Sequence, residues 1–273
     1  MHSTLARFLS CLAALVLVST TAPAQTLVHY YNFATNTGND QVGNANGVLS
    51  DGATISNGEL QTTSGILSGL VLNGPSVTNS AVSGLTGSFS IEDWATITPN
   101  THLTAPALFG FTSGSASNYF TVYSYHNLSG TPGTVDYDSP TTNQYSADFN
   151  GLPLPEGTPI DVGVTYSATT ETLSLYLNGV ETTSVSTDGA LNLSAIAGTF
   201  DGGIGGFDPG LTSTAVSDTT QFAIYNGALS SNQMLADFDN GSPVSAPEPS
   251  TWAMLCGGMA LLFLARRLIR FSA

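Results

Sequence analysis

Apolar residues in this chain follow two patterns. Two continuous runs lie near the ends, Phe8 to Val18 and Trp252 to Ala265. Between them the apolar residues come in short stretches that alternate with polar ones. Alternation with period two marks a half-buried strand, because successive side chains point to opposite faces. The clearest case is Thr172 to Val185. Leu173, Leu175 and Leu177 alternate with Ser174 and Tyr176, Asn178-Gly179 turns the chain, and Val180 and Val185 bring it back. Asn-Gly at that place predicts a two-residue hairpin, whose turn positions both need φ > 0. Further strands are predicted at Phe89 to Trp94, Asn118 to Tyr125, Ile160 to Tyr166 and Gln221 to Tyr225. One short helix is predicted from Asn232 to Phe238, with Ser230 as its N-cap. Helical periodicity is otherwise nearly absent and no internal repeat is present. Short strands separated by Gly-, Ser-, Thr- and Asn-rich turns predict an all-β fold, a β-sandwich of antiparallel sheets, rather than an α/β fold.

The two end runs predict sorting segments. Arg7 precedes the first run, and Ala22-Pro23-Ala24 follows it with small residues at the two positions a signal peptidase reads. Residues 1–24 are therefore a predicted secretory signal peptide, cleaved between Ala24 and Gln25. Cys11 lies inside the run, which disfavours a lipoprotein site. The second run is roughly 15 residues against the ~20 of a comfortable membrane span, and Leu268, Ile269 and Phe271 extend it. Arg266, Arg267 and Arg270 close it and hold that end in the cytoplasm. One C-terminal transmembrane helix is the expectation.

Pro247-Glu248-Pro249, an apolar helix and an arginine cluster, in that order, resemble the PEP-CTERM sorting signal of Gram-negative bacteria. The resemblance covers residues 247–271. It implies export, retention in the inner membrane by the tail helix, cutting near the motif by an exosortase, and transfer to the cell surface or extracellular matrix. A plain tail anchor or bitopic helix is the alternative. The expected organisation is signal peptide 1–24, sandwich domain 25–241, linker 242–246 and sorting signal 247–271.

Charge narrows the partners. The chain has 273 residues, with four Lys and Arg against 19 Asp and Glu. All four bases are the arginines already named, and every acid except Glu248 lies within 25–241. The domain therefore carries no lysine or arginine, and no Lys or Arg salt bridge forms inside it. Nucleic acid and polyanionic surfaces are poor partners for lack of a basic footprint, except where a cation bridges to an anionic polymer. Neutral polysaccharides and divalent cations are not. Both cysteines, Cys11 and Cys256, sit in the sorting segments, so the domain has no disulfide framework.

Several pieces in order carry a second resemblance. Tyr30-Tyr31-Asn32-Phe33 is followed by the Gly/Asn-rich stretch Asp40 to Gly47, then by Gly87 to Trp94. Next come Leu175-Tyr176-Leu177-Asn178-Gly179 and a closing Phe222 to Ser230. Together, over about 27–241, they resemble the laminin-G-like members of the concanavalin A-like lectin/glucanase superfamily. The resemblance implies a jelly-roll sandwich of two curved antiparallel sheets that binds carbohydrate or matrix components, often through Ca²⁺ at the sheet rim. Relatives often carry an acid and a base just before the closing Ile-Tyr. Thr220 and Ala223 stand there instead, with Asp218 the nearest acid.

Catalytic signatures are missing. Glucanases of the superfamily carry two carboxylates on one strand face. Glu92 and Asp93 are adjacent and point to opposite faces of a strand. Asp136 and Asp138 face one way, but Gly130, Gly133 and Pro140 around them predict a loop. No G-x-S-x-G, no thiol and no paired-histidine spacing occurs in the domain. The expectation is no enzyme. Ca²⁺ is the candidate cofactor, with Asp40, Asn44, Asp201, Asp208 and Asp218 as candidate oxygen ligands. Asp201 to Asp208 is a Gly-rich acidic loop, for which a flexible hairpin connection whose glycines take positive φ is the favoured reading over a metal site. For carbohydrate, Tyr119, Tyr123 and Tyr125 alternate on one strand face and can stack on sugar rings, with Asp136 and Asp138 bonding hydroxyls. The same stripe is also what strand packing alone produces. Trp94 is expected in the core beside Phe89 or Ile91.

The function these readings support is an exported, exosortase-processed surface or matrix protein that binds carbohydrate or matrix components without cleaving them. Its partners are signal peptidase, exosortase and an extracellular polysaccharide or matrix component, with the inner membrane before processing. A glucanase-type glycoside hydrolase with an unrecognised carboxylate pair is one alternative. A structural surface protein without a small ligand is the other.

Overall fold

In the computed structural model the described residues are 25–63, 68–72, 81–99, 106–112, 119–124, 133–139, 142–187, 189–196, 202–205 and 215–244. The residues on which the sorting motif and signal cleavage rest, apart from Gln25, lie outside them. Among the described residues no helix is long and apolar enough to cross a membrane.

Among the described residues fifteen strands build two antiparallel sheets. The larger runs β13 (Val180–Ser186), β12 (Thr172–Leu177), β11 (Pro159–Ser167), β6 (Phe89–Ile97), β15 (Ser217–Asn226), β4 (Glu59–Gln61) and β3 (Thr54–Ser56). β1 (Thr26–Asn32) shares the outer edge of β15 with β4. The smaller runs β10 (Thr142–Asp148), β9 (Thr134–Ser139), β8 (Tyr119–Tyr123), β7 (Ala107–Thr112), β14 (Gly203–Ile204), β5 (Gly69–Val71) and β2 (Val48–Ser50). The result is a jelly-roll sandwich.

The core lies between the sheets. Phe89, Ile91, Val162, Val164, Leu173, Leu175, Phe222 and Ile224 face it from the larger sheet, and Phe109, Phe111, Phe120, Val122 and Val135 from the smaller. Aromatic edges lock the two layers: Phe89 meets Phe120 at 5.7 Å and Phe109 meets Phe222 at 5.2 Å, both near perpendicular. Such pairs add to the apolar area they bury. With no disulfide and no Lys or Arg pairing, this packing and the strand ladders hold the fold.

The Asn178-Gly179 hairpin forms as its sequence predicts. Both residues have positive φ, 53° and 71°, the geometry of a type I′ turn. Asn178 also ties the turn to β11, its Oδ1 accepting the Asp161 N–H at 3.0 Å. The predicted helix is α1, Ser231–Asn240. Its N-cap is Ser230, whose N–H and hydroxyl donate to the Gln233 Oε1 at 2.9 and 2.8 Å.

α1 lies against the outer face of the larger sheet and creates a second apolar layer of Trp94, Tyr176, Ala223, Tyr225, Leu229 and Met234. This corrects the expectation for Trp94. Phe89 and Ile91 occupy odd positions of β6 and face the core, whereas Trp94 is even and faces the helix. Two loop expectations also change. Asp136 and Asp138 lie on β9, paired along its length with β8 and β10. Gly203-Ile204, within the Gly-rich stretch, is a strand between β5 and β7.

Candidate functional site

The outer face of the smaller sheet carries the residues expected to contact sugar. Register sets Tyr119 opposite Asp138, Thr121 opposite Asp136 and Tyr123 opposite Thr134, with Ser146 of β10 next to Asp136. Ser146 donates its hydroxyl to Asp136 at 2.6 Å. Tyr119 and Asp136 are partly exposed. Tyr123 is not: it is 2% exposed and packs on Ala107. A buried ring does not offer its face to a sugar, so Tyr123 is a packing residue. The buried hydroxyls of Thr121 and Thr134 make no hydrogen bond. The solvent-facing part of this face is thus the Asp136–Ser146 pair with Tyr119 diagonal to it, two residues along β8 from the position opposite Asp136. Tyr125 lies outside the described residues, as does the Asp138 side chain.

Of the candidate metal residues that are described, Asp218 stands apart from Asp40 and Asn44. Asp40 belongs to the 38–47 loop, where its Oδ1 accepts the N–H groups of Tyr30, Val42 and Gly43 at 3.1, 3.1 and 2.9 Å. Its Oδ2 accepts the Ala45 N–H at 3.1 Å and meets His29 Nδ1 at 2.5 Å. Burial raises its pKa, but the His29 bond and the amides of Gly43 and Tyr30 outweigh that and lower it to about 2. The carboxylate is a loop anchor with its lone pairs engaged. Asn44 lines a neighbouring cleft of about 310 Å³ with His29, Ser83 and Asn226. Asp218 is elsewhere, on β15 opposite Gln61 and Thr96. It is six residues from Ile224, which pairs with His29, so about 20 Å along the strand separates it from the Asp40 loop. Asp201 and Asp208 lie outside the described residues. Among the described residues no group of three or more acidic, histidine or cysteine side chains has an arrangement that could hold a metal ion.

One group of ionisable residues was not anticipated. Glu92 of β6, Asp161 of β11, Tyr225 of β15 and Asp237 of α1 meet on the outer face of the larger sheet, beneath the helix. All are buried. Burial first, then the charges of Asp161 and Asp237, pushes Glu92 well above the usual carboxylate range. Burial first, then Asp237, pushes Asp161 up to about 8. Asp93, on the core face, is also raised well above its usual value, by burial, partly offset by the Thr219 hydroxyl. Four separate elements supply the group, so spacing along the chain does not show it. The available signal was parity: Glu92 shares the even face of β6 with Trp94, the face a helix covers.

No known protein family and no curated protein matches the chain. Among solved structures, it is similar to the CBM40 of an IT-sialidase from Ruminococcus gnavus, bound to α2,3-sialyllactose. The TM-score is 0.55 and the identity 14%, over 65% of this chain and 95% of that one. It is also similar to the leech intramolecular trans-sialidase, with TM-score 0.51 and 16% identity, over 65% of this chain and 26% of that one. At these identities the likeness is one of fold.

Proposed function

We propose that this chain is an exported surface or matrix protein whose sandwich domain binds carbohydrate without cleaving it. The observation that carries the reading is the solvent-facing part of the smaller sheet, where a partly exposed tyrosine, Tyr119, lies diagonally across from the paired carboxylate and hydroxyl of Asp136 and Ser146. A ring face for stacking with oxygens for sugar hydroxyls is the chemistry a glycan needs. The CBM40 of similar fold was solved with sialyllactose, which agrees with this reading. In the proposal, signal peptidase cuts before Gln25. An exosortase then releases the domain near Pro247-Glu248-Pro249 from the inner membrane of a Gram-negative bacterium. Ca²⁺ assistance through Asp40, Asn44, Asp201, Asp208 or Asp218 remains part of it.

The buried acids argue against the hydrolase alternative. Glu92 and Asp161 have raised pKa values, as a glycosidase acid requires, but α1 seals them from a polymer chain. The test is a glycan array probed with the full chain in millimolar Ca²⁺ and in chelator, followed by a reducing-end assay on every glycan retained. Saturable retention with no new reducing ends is expected. Released reducing ends would establish the hydrolase instead, and no retention in either buffer would leave a structural surface protein.

A further inference from the structure

Beneath α1 the four ionisable side chains have unequal surroundings. Asp237 has both oxygens engaged: Oδ2 accepts the Tyr225 hydroxyl at 2.6 Å and Oδ1 accepts the Val244 N–H at 2.8 Å. The carboxyl oxygens of Glu92 and Asp161 are buried and make no hydrogen bond. Glu92 lies against Asp237 and Tyr225 without the geometry of a hydrogen bond to either. At the border Tyr176 of β12 donates to Glu181 of β13, and Asp93 lies across the sheet on the core face of β6. The described residues hold no lysine or arginine, and their one histidine, His29, is bound to Asp40. No cation therefore faces the cluster from any described element. An ionised carboxylate without partner in an apolar layer is strongly disfavoured, so protons must supply the neutrality.

We propose that α1 and the exit segment Gly241–Val244 form a pH-gated latch, shut while Glu92 and Asp161 carry protons and opened when they lose them. Ionising either acid puts a negative charge, next to the Asp237 carboxyl, into a buried layer that holds no counter-charge. Relief requires water, and the two sides of the layer differ in how readily they admit it. On one side are β6 and β11, hydrogen-bonded to each other and to their outer neighbours through the middle of the larger sheet. On the other is a ten-residue helix. It is seated by Met234, the Tyr225–Asp237 bond, the Tyr176–Ser231 contact, the Gln221–Gly241 bond and the close approach of Leu235 and Phe238 to the Gly179 turn. A cleft of about 270 Å³ already reaches this layer at the end of α1, bordered by Asp161, Trp94, Phe238 and Gly241. Opening from that end breaks the bond by which the Gln221 side-chain amide of β15 holds the Gly241 carbonyl at 2.6 Å, loosens the segment that follows α1, and uncovers Trp94.

Trp94 reports the event directly. The chain has two tryptophans, and Trp252→Phe leaves Trp94 as the single emitter. In that full chain, hydrogen exchange and Trp94 emission are followed from about pH 5 to about pH 9.5, with exchange corrected for its intrinsic pH dependence; each proton released on opening raises the opening constant about tenfold per pH unit. The expected result is that α1 amides lose protection and Trp94 emission shifts to longer wavelength together as pH climbs toward the value of about 8 held by Asp161, with the slope falling off above it. Amides of β8 and β9 keep their protection over that range. Glu92→Gln and Asp161→Asn keep the side-chain shape but cannot ionise, and each is expected to reduce the pH slope by one proton. A flat profile overturns the latch. So does simultaneous loss of protection in α1, β8 and β9, which is global unfolding, or an unchanged slope in variants that fold. If neither variant folds, the parent profile, α1 compared with β8 and β9, still decides.

Discussion

The melting temperature of this domain is expected to rise as the pH is lowered from about 8 to about 4. Glu92, Asp93 and Asp161 hold their protons in the folded state at pH values where the unfolded chain has released them. A raised carboxyl pKa leaves stability whole below the unfolded value and erodes it as pH climbs toward the folded one. For Asp161 that window runs from 3.8 to about 8. This one group is then worth on the order of 5 kcal/mol between the two ends, and for a domain of this size that is roughly 10–20 °C. Asp40 works in the opposite sense: its pKa is lowered, so its contribution is present above 3.8 and lost as pH falls through about 2. The two trends place the maximum near pH 4. Repulsion among the surface acids has the same sign as the first trend but is screened by salt. Calorimetric scans at low and high salt separate them: the buried contribution persists in salt, and Asp161→Asn removes its share. A melting temperature that is flat or rising from pH 4 to 8 would show that these acids are not held neutral.

The second large effect is steric. A Cβ on Gly203 would lie 1.9 Å from the Leu70 carbonyl oxygen and 3.2 Å from the Val71 Cα, both backbone atoms of β5. Neither can step aside, because β14 is paired with β5 on one edge and β7 on the other. Gly203→Ala is expected to part β5 and β2 from the smaller sheet and cost about 3 kcal/mol or more. Gly84 is the control. Nothing lies within 4 Å of a Cβ there, and Gly84→Ala should change stability by less than about 0.5 kcal/mol. Urea midpoints of the two variants give the comparison. Equal midpoints would mean that β14 is not pinned between its neighbours.

What the chain discloses from sequence tracks how local each feature is. The Asn178-Gly179 hairpin and the Ser230 cap are legible because a few adjacent residues determine them. The β6 strand is legible too, but not the partner of Trp94, since a helix more than a hundred residues later decides that this strand has two buried faces. Gly203-Ile204 cannot be read as a strand: two residues carry no period, and only β5 and β7 on either side make them one. Asp40 stands out in sequence as an oxygen donor in a Gly/Asn-rich loop. That its lone pairs go to the loop's own amides depends on how the loop closes on itself. The buried ionisable cluster is the least legible, because β6, β11, β15 and α1 each supply one member.

The proposed glycan surface is the set of residues Tyr119, Asp136 and Ser146 along β8, β9 and β10. Its direct measurement is titration calorimetry of the full chain against a glycan retained on the array, for the parent, Tyr119→Ala and Asp136→Asn. A fall in affinity of about tenfold or more in each variant, with melting temperatures unchanged, is the predicted result; one good hydrogen bond to a charged group or one ring stacked on a sugar carries at least that much. Affinities equal to the parent's in both variants would contradict it and move the binding surface elsewhere on the sandwich.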